Sequence, residues 1–331
     1  MKGLLELYSL RVPEYIKEYA EAEEMQRIRH VDMNCGMNYT SFPLFKDAGE
    51  YTRYEHSLGV AYILAGFTDK KEIILSGLFH DIAAPVFSHV IDFLNGDHEH
   101  QESTEDETAS LIAGSAVITG LLERDGITKE QVSDYHMYPL ADNDSPRLSA
   151  DRLEYTFGNM VNYGFATLEQ VRTFLNDLTV SVNEDGMPEM SFRTPETAEE
   201  FALLSLKCGH VYSCDHDRYG MEYLALLLKK AVSEGILEYD DFRRTEAEVI
   251  AVLESSTLQE EWKAFRKMSS LKYSPEQKEG YLQVHAKRRY IDPLCGNVRV
   301  SSYSEKYSKA LHDFLSEDQD VWMRAENLKG E

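Results

Sequence analysis

Four residues sit where an ordinary helical core has no use for them. His56 shares a helical row with Val60 and Ile63, His80 follows Ile73 and Gly77, Asp81 follows Ile74 and Leu78, and Asp151 shares a row with Leu148 and Tyr155. Side chains three and four apart lie on one face of a helix, so all four point along apolar faces. A carboxylate there needs a strong partner, because lost hydration is expensive to leave unreplaced. Two neutral imidazoles and two carboxylates projecting inward from three helices are satisfied together by one divalent cation. Such an ion keeps coordination positions open for water and substrate. Taken singly, an inward histidine is more often a hydrogen-bonded core residue, and a His-Asp pair arises by chance in many helical proteins. The signal is the set of four within the words RYEHSLGVAYIL (Arg53–Leu64), GLFHDIAAPVFSHVIDF (Gly77–Phe93) and LSADRLEYTF (Leu148–Phe157).

The elements that position these side chains read as helices broken by short polar punctuation. One is predicted from about Pro13 to Arg29, and a loop with Gly36, Pro43 and Gly49 leads to a second from about Glu55. The next opens at Thr68/Asp69, with Asp69 and Glu72 at capping-box spacing, and runs to about Ala84 because Pro85 follows. Thr104 and Glu107 have the same spacing and open a helix continuing past Leu122, and Ser145-Pro146 starts another reaching about Tyr163. Thr179–Phe192 alternates around Asp185-Gly186 and predicts a hairpin, and Tyr281–Tyr303, around Cys295-Gly296-Asn297, predicts a second. Between and after them, helices are expected at about Pro195–Val211, His216–Ser233, Asp240–Leu253, Leu258–Met268 and Ser304–Phe314, with the last ten residues loose. The first hairpin marks a soft boundary between residues 1–178 and 179–331.

Composition narrows the function. The 331 residues hold 34 Lys and Arg against 58 Asp and Glu, a net charge of −24 that repels polyanions and excludes a nucleic-acid-coating role. A pocket on an acidic body can still be locally basic, so a small phosphorylated substrate stays open. Four scattered cysteines form no disulfide framework, which suits a reducing cytoplasm. No window approaches 18 apolar residues, so neither membrane insertion nor secretion is expected. Glycine-rich phosphate loops are absent, as is any serine or cysteine in a nucleophile setting.

The quoted words, together with MQRIRHVDMNCGMNYTSFP (Met25–Pro43), resemble the HD-domain metal-dependent phosphohydrolases, nearest to the deoxynucleoside triphosphate triphosphohydrolase branch. The resemblance runs to about Phe157. It implies an HD-domain helical fold for residues 1–178, and with the helices and hairpins read above the whole is expected to be mainly α, the helical C-terminal portion 179–331 carrying one or two small β-hairpins and packing on the first. It implies hydrolysis of a phosphate ester or anhydride (EC 3.1 or 3.6 type), with a nucleotide or deoxynucleotide as substrate. It makes His56, His80, Asp81 and Asp151 ligands of a manganese, iron, magnesium, nickel or zinc ion, and matches Arg53 and Tyr155 to substrate-binding residues. His89 and Asp92 match polar residues lining that pocket, and His100 matches a histidine opening the next helix, with His98 competing for the assignment. Helical relatives commonly self-associate, which admits a homo-oligomer of unspecified number.

The sequence departs from that branch at Ala83 and Ala84, where the branch has Gly and His. Either His89 or His100 replaces the missing group, or the chemistry differs, or the chain is a nucleotide-binding regulator that keeps its metal site with weak or lost catalysis. The segment Asp32–Gly36 aligns only with a one-residue slip, so sugar selectivity does not transfer. Two further motifs carry alternatives. Cys208, His210, Cys214 and His216 suggest zinc but fit helix packing better. The run HAKRRY (His285–Tyr290) reads as a phosphate contact or, preferably, a charged strand edge.

Overall fold

Helix α1 (Arg53–Ala65) starts where Thr52 and Glu55 satisfy each other. The Thr52 hydroxyl accepts from the Glu55 backbone N–H at 3.3 Å and the Glu55 carboxylate accepts from the Thr52 N–H at 3.0 Å. The computed structural model describes residues 2–8, 12–91 and 107–327. Helix α2 (Lys71–Phe79) packs along α1 and is shorter than predicted at both ends. Its N-cap is Lys70 without a side-chain cap, so the Asp69–Glu72 box does not form. At the other end the helix stops before His80, and residues 80–83 form turns. Pro85 disfavours helical backbone at Ala84, and the Arg27 guanidinium donates to the carbonyls of Ile82 at 3.0 Å and Ala84 at 2.7 Å. His80 and Asp81 therefore leave the helix end instead of lying on helical rows.

Helix α3 (Ala150–Asn162) begins five residues beyond the predicted Ser145, because the Ser149 hydroxyl accepts from the Arg152 N–H at 3.2 Å. Helices α4 (Pro195–Tyr212) and α5 (Asp215–Ser233) match the predicted spans to within about a residue. The predicted helix over 13–29 is divided into Tyr15–Ala20, Glu23–Arg27 and a 3-10 turn at Ile28–His30. Beyond residue 107, the predicted single helix is Thr108–Gly114 and Ala116–Asp125, broken where Ser115 caps the second. Thr104 lies outside the described residues.

The strands are β1 (Leu178–Val182), β2 (Pro188–Phe192), β3 (Leu271–Ser274), β4 (Leu294–Cys295), β5 (Val298–Arg299) and β6 (Trp322–Ala325). The first hairpin pairs Leu178 with Phe192, as its alternation predicts. Of the second only β4 and β5 form, with β4 parallel to β2, and residues 283–293 are irregular. The tail expected to be loose contains β6, antiparallel to β3, with Met323 and Ala325 buried at the two-residue period of a strand.

Two hydrophobic clusters hold the molecule, and each draws residues from both sides of position 178. In one, Phe157 of α3 stacks on Phe174 at 6.1 Å between ring centroids and meets Phe201 of α4 edge-on at 5.7 Å, fixing α3 from behind. Among the described residues no helix is long and apolar enough to cross a membrane.

Candidate metal centre

The start of α1 is held by backbone pairing: Met33 N–H donates to the Tyr51 carbonyl at 2.8 Å and Arg53 N–H to that of Val31 at 2.9 Å. One turn into α1, His56 is 1 % exposed and is gripped on both ring nitrogens. Its Nδ1 lies 2.5 Å from Glu154 Oε2 and its Nε2 2.9 Å from Asp151 Oδ1. His80, at the end of α2, places Nδ1 2.7 Å from the Gly77 carbonyl and Nε2 3.0 Å from His56 Nε2. Asp151 Oδ1 is 3.6 Å from His80 Nε2, and the ligand atoms of His56, His80 and Asp151 all lie within 4.8 Å of one another. Asp81 Oδ2 stands 3.5 Å from His80 Nε2 and 3.8 Å from His56 Nε2, and both its oxygens accept from one Arg53 nitrogen, at 3.1 and 2.9 Å.

This donor set fits a metal ion. Glu154 and the Gly77 carbonyl accept at Nδ1, which assigns the proton of each neutral ring to that atom and leaves an Nε2 lone pair pointing inward. Two lone pairs 3.0 Å apart repel unless a cation lies between them and the carboxylates. The electrostatics agree. Burial works against a charged His56, yet hydrogen bonds to Asp151 and Glu154 push its pKa up to about 10. Burial would raise Asp81, but Arg53, His80 and His56 hold it down to about 2, and His56 and His80 likewise hold Asp151 below the usual carboxylate range. The cluster demands positive charge, which a divalent cation supplies better than a proton. Its mixed nitrogen and oxygen donors do not select among manganese, iron, magnesium, nickel and zinc.

The centre opens on a cavity of about 530 Å³ lined also by Arg53, Ala84, His89 and Tyr155. The turn carrying His89 is strained: Phe87 and Ser88 have φ of 59° and 49°, rare for side-chain-bearing residues. It is held by Phe87 N–H donating to Glu246 at 3.4 Å and by Arg53 Nε donating to Ser88 Oγ at 3.0 Å, so strain is concentrated beside the site. The Tyr155 ring lies 6.4 Å from that of His56. Asp92 and His100, and His98 with them, fall outside the described residues.

Three features escaped the sequence reading. Glu154 is fully buried and also accepts from the Tyr51 hydroxyl; its spacing of three from Asp151 on α3 was the available signal. His136 lines the cavity with its Nε2 3.4 Å from Asp142, but nothing in its surrounding sequence marks it. Lys287 and Arg289 also line the cavity, which overturns the strand-edge reading of HAKRRY. The backbone there is irregular, and Arg288 turns the other way to donate to the carbonyls of Phe314 and Glu317. The cysteine-histidine motif is packing: His210 pairs with Glu317 at 2.9 Å, and His216 lies 4.5 Å from the Phe42 ring.

Fold and cluster together define a mainly helical protein with a His-His-Asp cluster that could hold a metal ion. The family model of the HD domain matches residues 53–138. It is 32% identical over 211 residues to the Bacillus subtilis protein YdhJ, covering 63% of either chain. It is 26% identical over 161 residues to the metal-dependent phosphohydrolase cns2 of Cordyceps militaris, covering 49% of this chain and 45% of the relative. To a Dictyostelium discoideum homolog of the deoxynucleoside triphosphate triphosphohydrolase SAMHD1 it is 22% identical over 270 residues, 72% of this chain and 48% of that one. The chain thus spans less than two thirds of these relatives' own lengths. A phosphohydrolase from Bacteroides thetaiotaomicron shares the fold, with a TM-score of 0.62 at 13% identity over 95% of this chain and 96% of the other.

Proposed function

We propose that the chain is a metal-dependent phosphohydrolase acting on a phosphate ester or anhydride of a nucleotide or deoxynucleotide. The observation that carries this is the convergence of His56, His80 and Asp151, with Asp81 and Arg53 beside them, at a cavity large enough for such a substrate. His56, His80, Asp81 and Asp151 hold the ion. When bound, it supplies Lewis-acid polarisation of a phosphoryl oxygen and acidifies the attacking water. Arg53, fixed by Asp81 and Ser88, offers its planar fork to the phosphate charge, and Tyr155 orients the substrate against α3. Water gives up a proton to solvent as its oxygen bonds to phosphorus and the bond to the leaving oxygen breaks, and that oxygen takes a proton from His89 or His100, which regains one from solvent, with Asp92 near them in sequence.

Metal analysis and a nucleotide panel with added manganese test this. Close to one ion per chain and release of phosphate, polyphosphate or nucleoside are expected. Asp81→Ala is expected to abolish both the ion and turnover. Protein without metal, whose thermal stability EDTA leaves unchanged, overturns the proposal. Ala84, where the related branch carries histidine, favours a second reading as a regulator, for which tight nucleotide binding without product is the signature. Ala84→His then discriminates: a rise of about 10²-fold or more marks a decayed general acid, and no rise marks different chemistry.

A further inference from the structure

Strand β1 forms one edge of the four-stranded sheet ordered β1, β2, β4, β5. Its phase against β2 is fixed at both ends: Arg193 N–H donates to the Asp177 carbonyl at 3.1 Å and Asn183 N–H to that of Met187 at 2.9 Å. Antiparallel residue pairs alternate between hydrogen-bonded and not, so Thr179 and Ser181 turn their backbone groups to β2, whereas Leu178, Val180 and Val182 turn theirs outward. The outward Leu178 N–H is already taken, donating to the Leu175 carbonyl. Among the described residues nothing bonds the outward backbone groups of Val180 or Val182. The side chains repeat the pattern. Leu178 lies opposite Phe192 and Val180 opposite Met190, so all share the core face of the sheet with Val182. Leu178, Phe192 and Met190 are buried, yet Val180 is 39 % and Val182 56 % exposed. An apolar core face thus runs past its cover, on a strand with no charge, proline or bulge to shield the edge.

We propose that β1 pairs with β1 of a second copy of this chain, antiparallel about a two-fold axis at Ser181. In that register Val180 meets the partner's Val182, and the symmetric pair repeats the contact, so four hydrogen bonds use every open N–H and C=O of Val180 and Val182 in both copies. The four valine side chains cover one another. Neighbouring two-folds fit worse: one at Val180 calls on the spent Leu178 N–H, and one at Val182 calls on Glu184 in the turn. A foreign extended segment offers the same backbone, but a second copy is matched to this edge by symmetry. Charge agrees with the pairing. At −24 two copies repel at long range, yet residues 178–183 are uncharged and the flanking acids are engaged within their own chain. Asp177 accepts from the Thr194 N–H at 2.9 Å, Glu184 from Arg299 at 2.8 Å, and Asp185 pairs with Arg147. Five residues make a small interface, so association is weak and concentration-dependent.

Sedimentation velocity of the full chain from about 1 to about 500 µM spans the affinities expected of so small an edge. The weight-average mass is expected to climb from one chain towards two, and Val180→Lys, a charge at an exposed edge position, is expected to hold it at one. Cysteine crosslinking reads the register and does not depend on that variant. Ser181→Cys faces its own copy in a non-hydrogen-bonded pair with Cα atoms ~4.5 Å apart, within disulfide reach. Thr179→Cys, two residues along, lies ~13 Å from its own copy. Mild oxidation is expected to give a covalent dimer of Ser181→Cys, and of Thr179→Cys none above the wild-type background. A wild type that stays monomeric throughout, self-association that Val180→Lys leaves intact, or equal crosslinking of the two cysteine variants overturns the proposal.

Discussion

At the scale of single residues, the centre depends on how the histidines are oriented as much as on which atoms ligate. Glu154 touches no substrate; it is a positioning residue that fixes the His56 proton on Nδ1 while burial pushes its own carboxyl up against the pull of His56 and Tyr51. Replacing it by Gln keeps an acceptor for Nδ1–H but removes the charge that makes the ring basic. Glu154→Gln is therefore expected to weaken metal affinity by about 10–100-fold with little change in fold, read by competition with a chelator. Glu154→Ala leaves His56 Nδ1–H without its partner in the core and is expected to cost a further ~1–3 kcal/mol of stability, read by denaturant titration. His56 was legible in the sequence because its row partners are apolar. Glu154 was not, because a glutamate on a helix is ordinarily solvated and only burial shows that this one is not.

At the scale of elements, the contact between α1 and α3 sets the spacing of the ligands. Gly59 makes it feasible: a Cβ there would lie 2.4 Å from Glu154 Oε1 and 2.5 Å from its Cγ. Two effects oppose each other in Gly59→Ala. Alanine stabilises a helix interior by about 1 kcal/mol, whereas an extra buried carbon without room costs about 1–3 kcal/mol. The clash wins, so a lower melting temperature is expected, together with weaker metal binding because the side chain displaced is the one whose other oxygen, Oε2, holds His56. Unchanged metal affinity would show that α1 and α3 separate without moving the site. The helices themselves were legible from periodicity and turn residues, as in α4 and α5. The end of α2 was not: Pro85 marks an approximate stop, but the Arg27 side chain, far off in sequence, captures the Ile82 and Ala84 carbonyls in the turn that brings Asp81 to Arg53.

At the scale of the whole molecule, a buried acid pair joins the start of the chain to its C-terminal half and makes stability depend on pH. Glu246 accepts from the Asp32 backbone N–H at 3.0 Å and from the Tyr39 hydroxyl at 2.7 Å. Burial pushes the Asp32 carboxyl up to about 7, with the hydrogen bonds from Asn34 opposing and the Glu246 charge assisting. Because the folded pKa exceeds the unfolded one, the folded state favours the protonated acid. That contribution is complete below the unfolded pKa of about 3.9 and is lost as pH rises through about 7. Asp32→Asn stays neutral throughout and can keep the bonds from Asn34. Relative to that variant, the wild type is expected to lose about 2–3 kcal/mol between pH 5 and pH 8, measured by denaturant titration at each pH. A flat difference would place the Asp32 pKa in the ordinary range.

By itself the sequence determined the helical class, the first hairpin, and that His56 was out of place on an apolar helix face. These depend on periodicity and on turn residues, which are local properties of a chain. Tertiary structure alone decided that His56, His80 and Asp151 meet within coordination reach, that Glu154 backs them, and that Lys287 and Arg289 face the cavity. It also decided that the tail pairs with Leu271–Ser274 across some fifty residues. Such contacts are fixed by which surfaces pack together, and a residue's neighbours along the chain carry no record of the partner it meets after a long loop has closed.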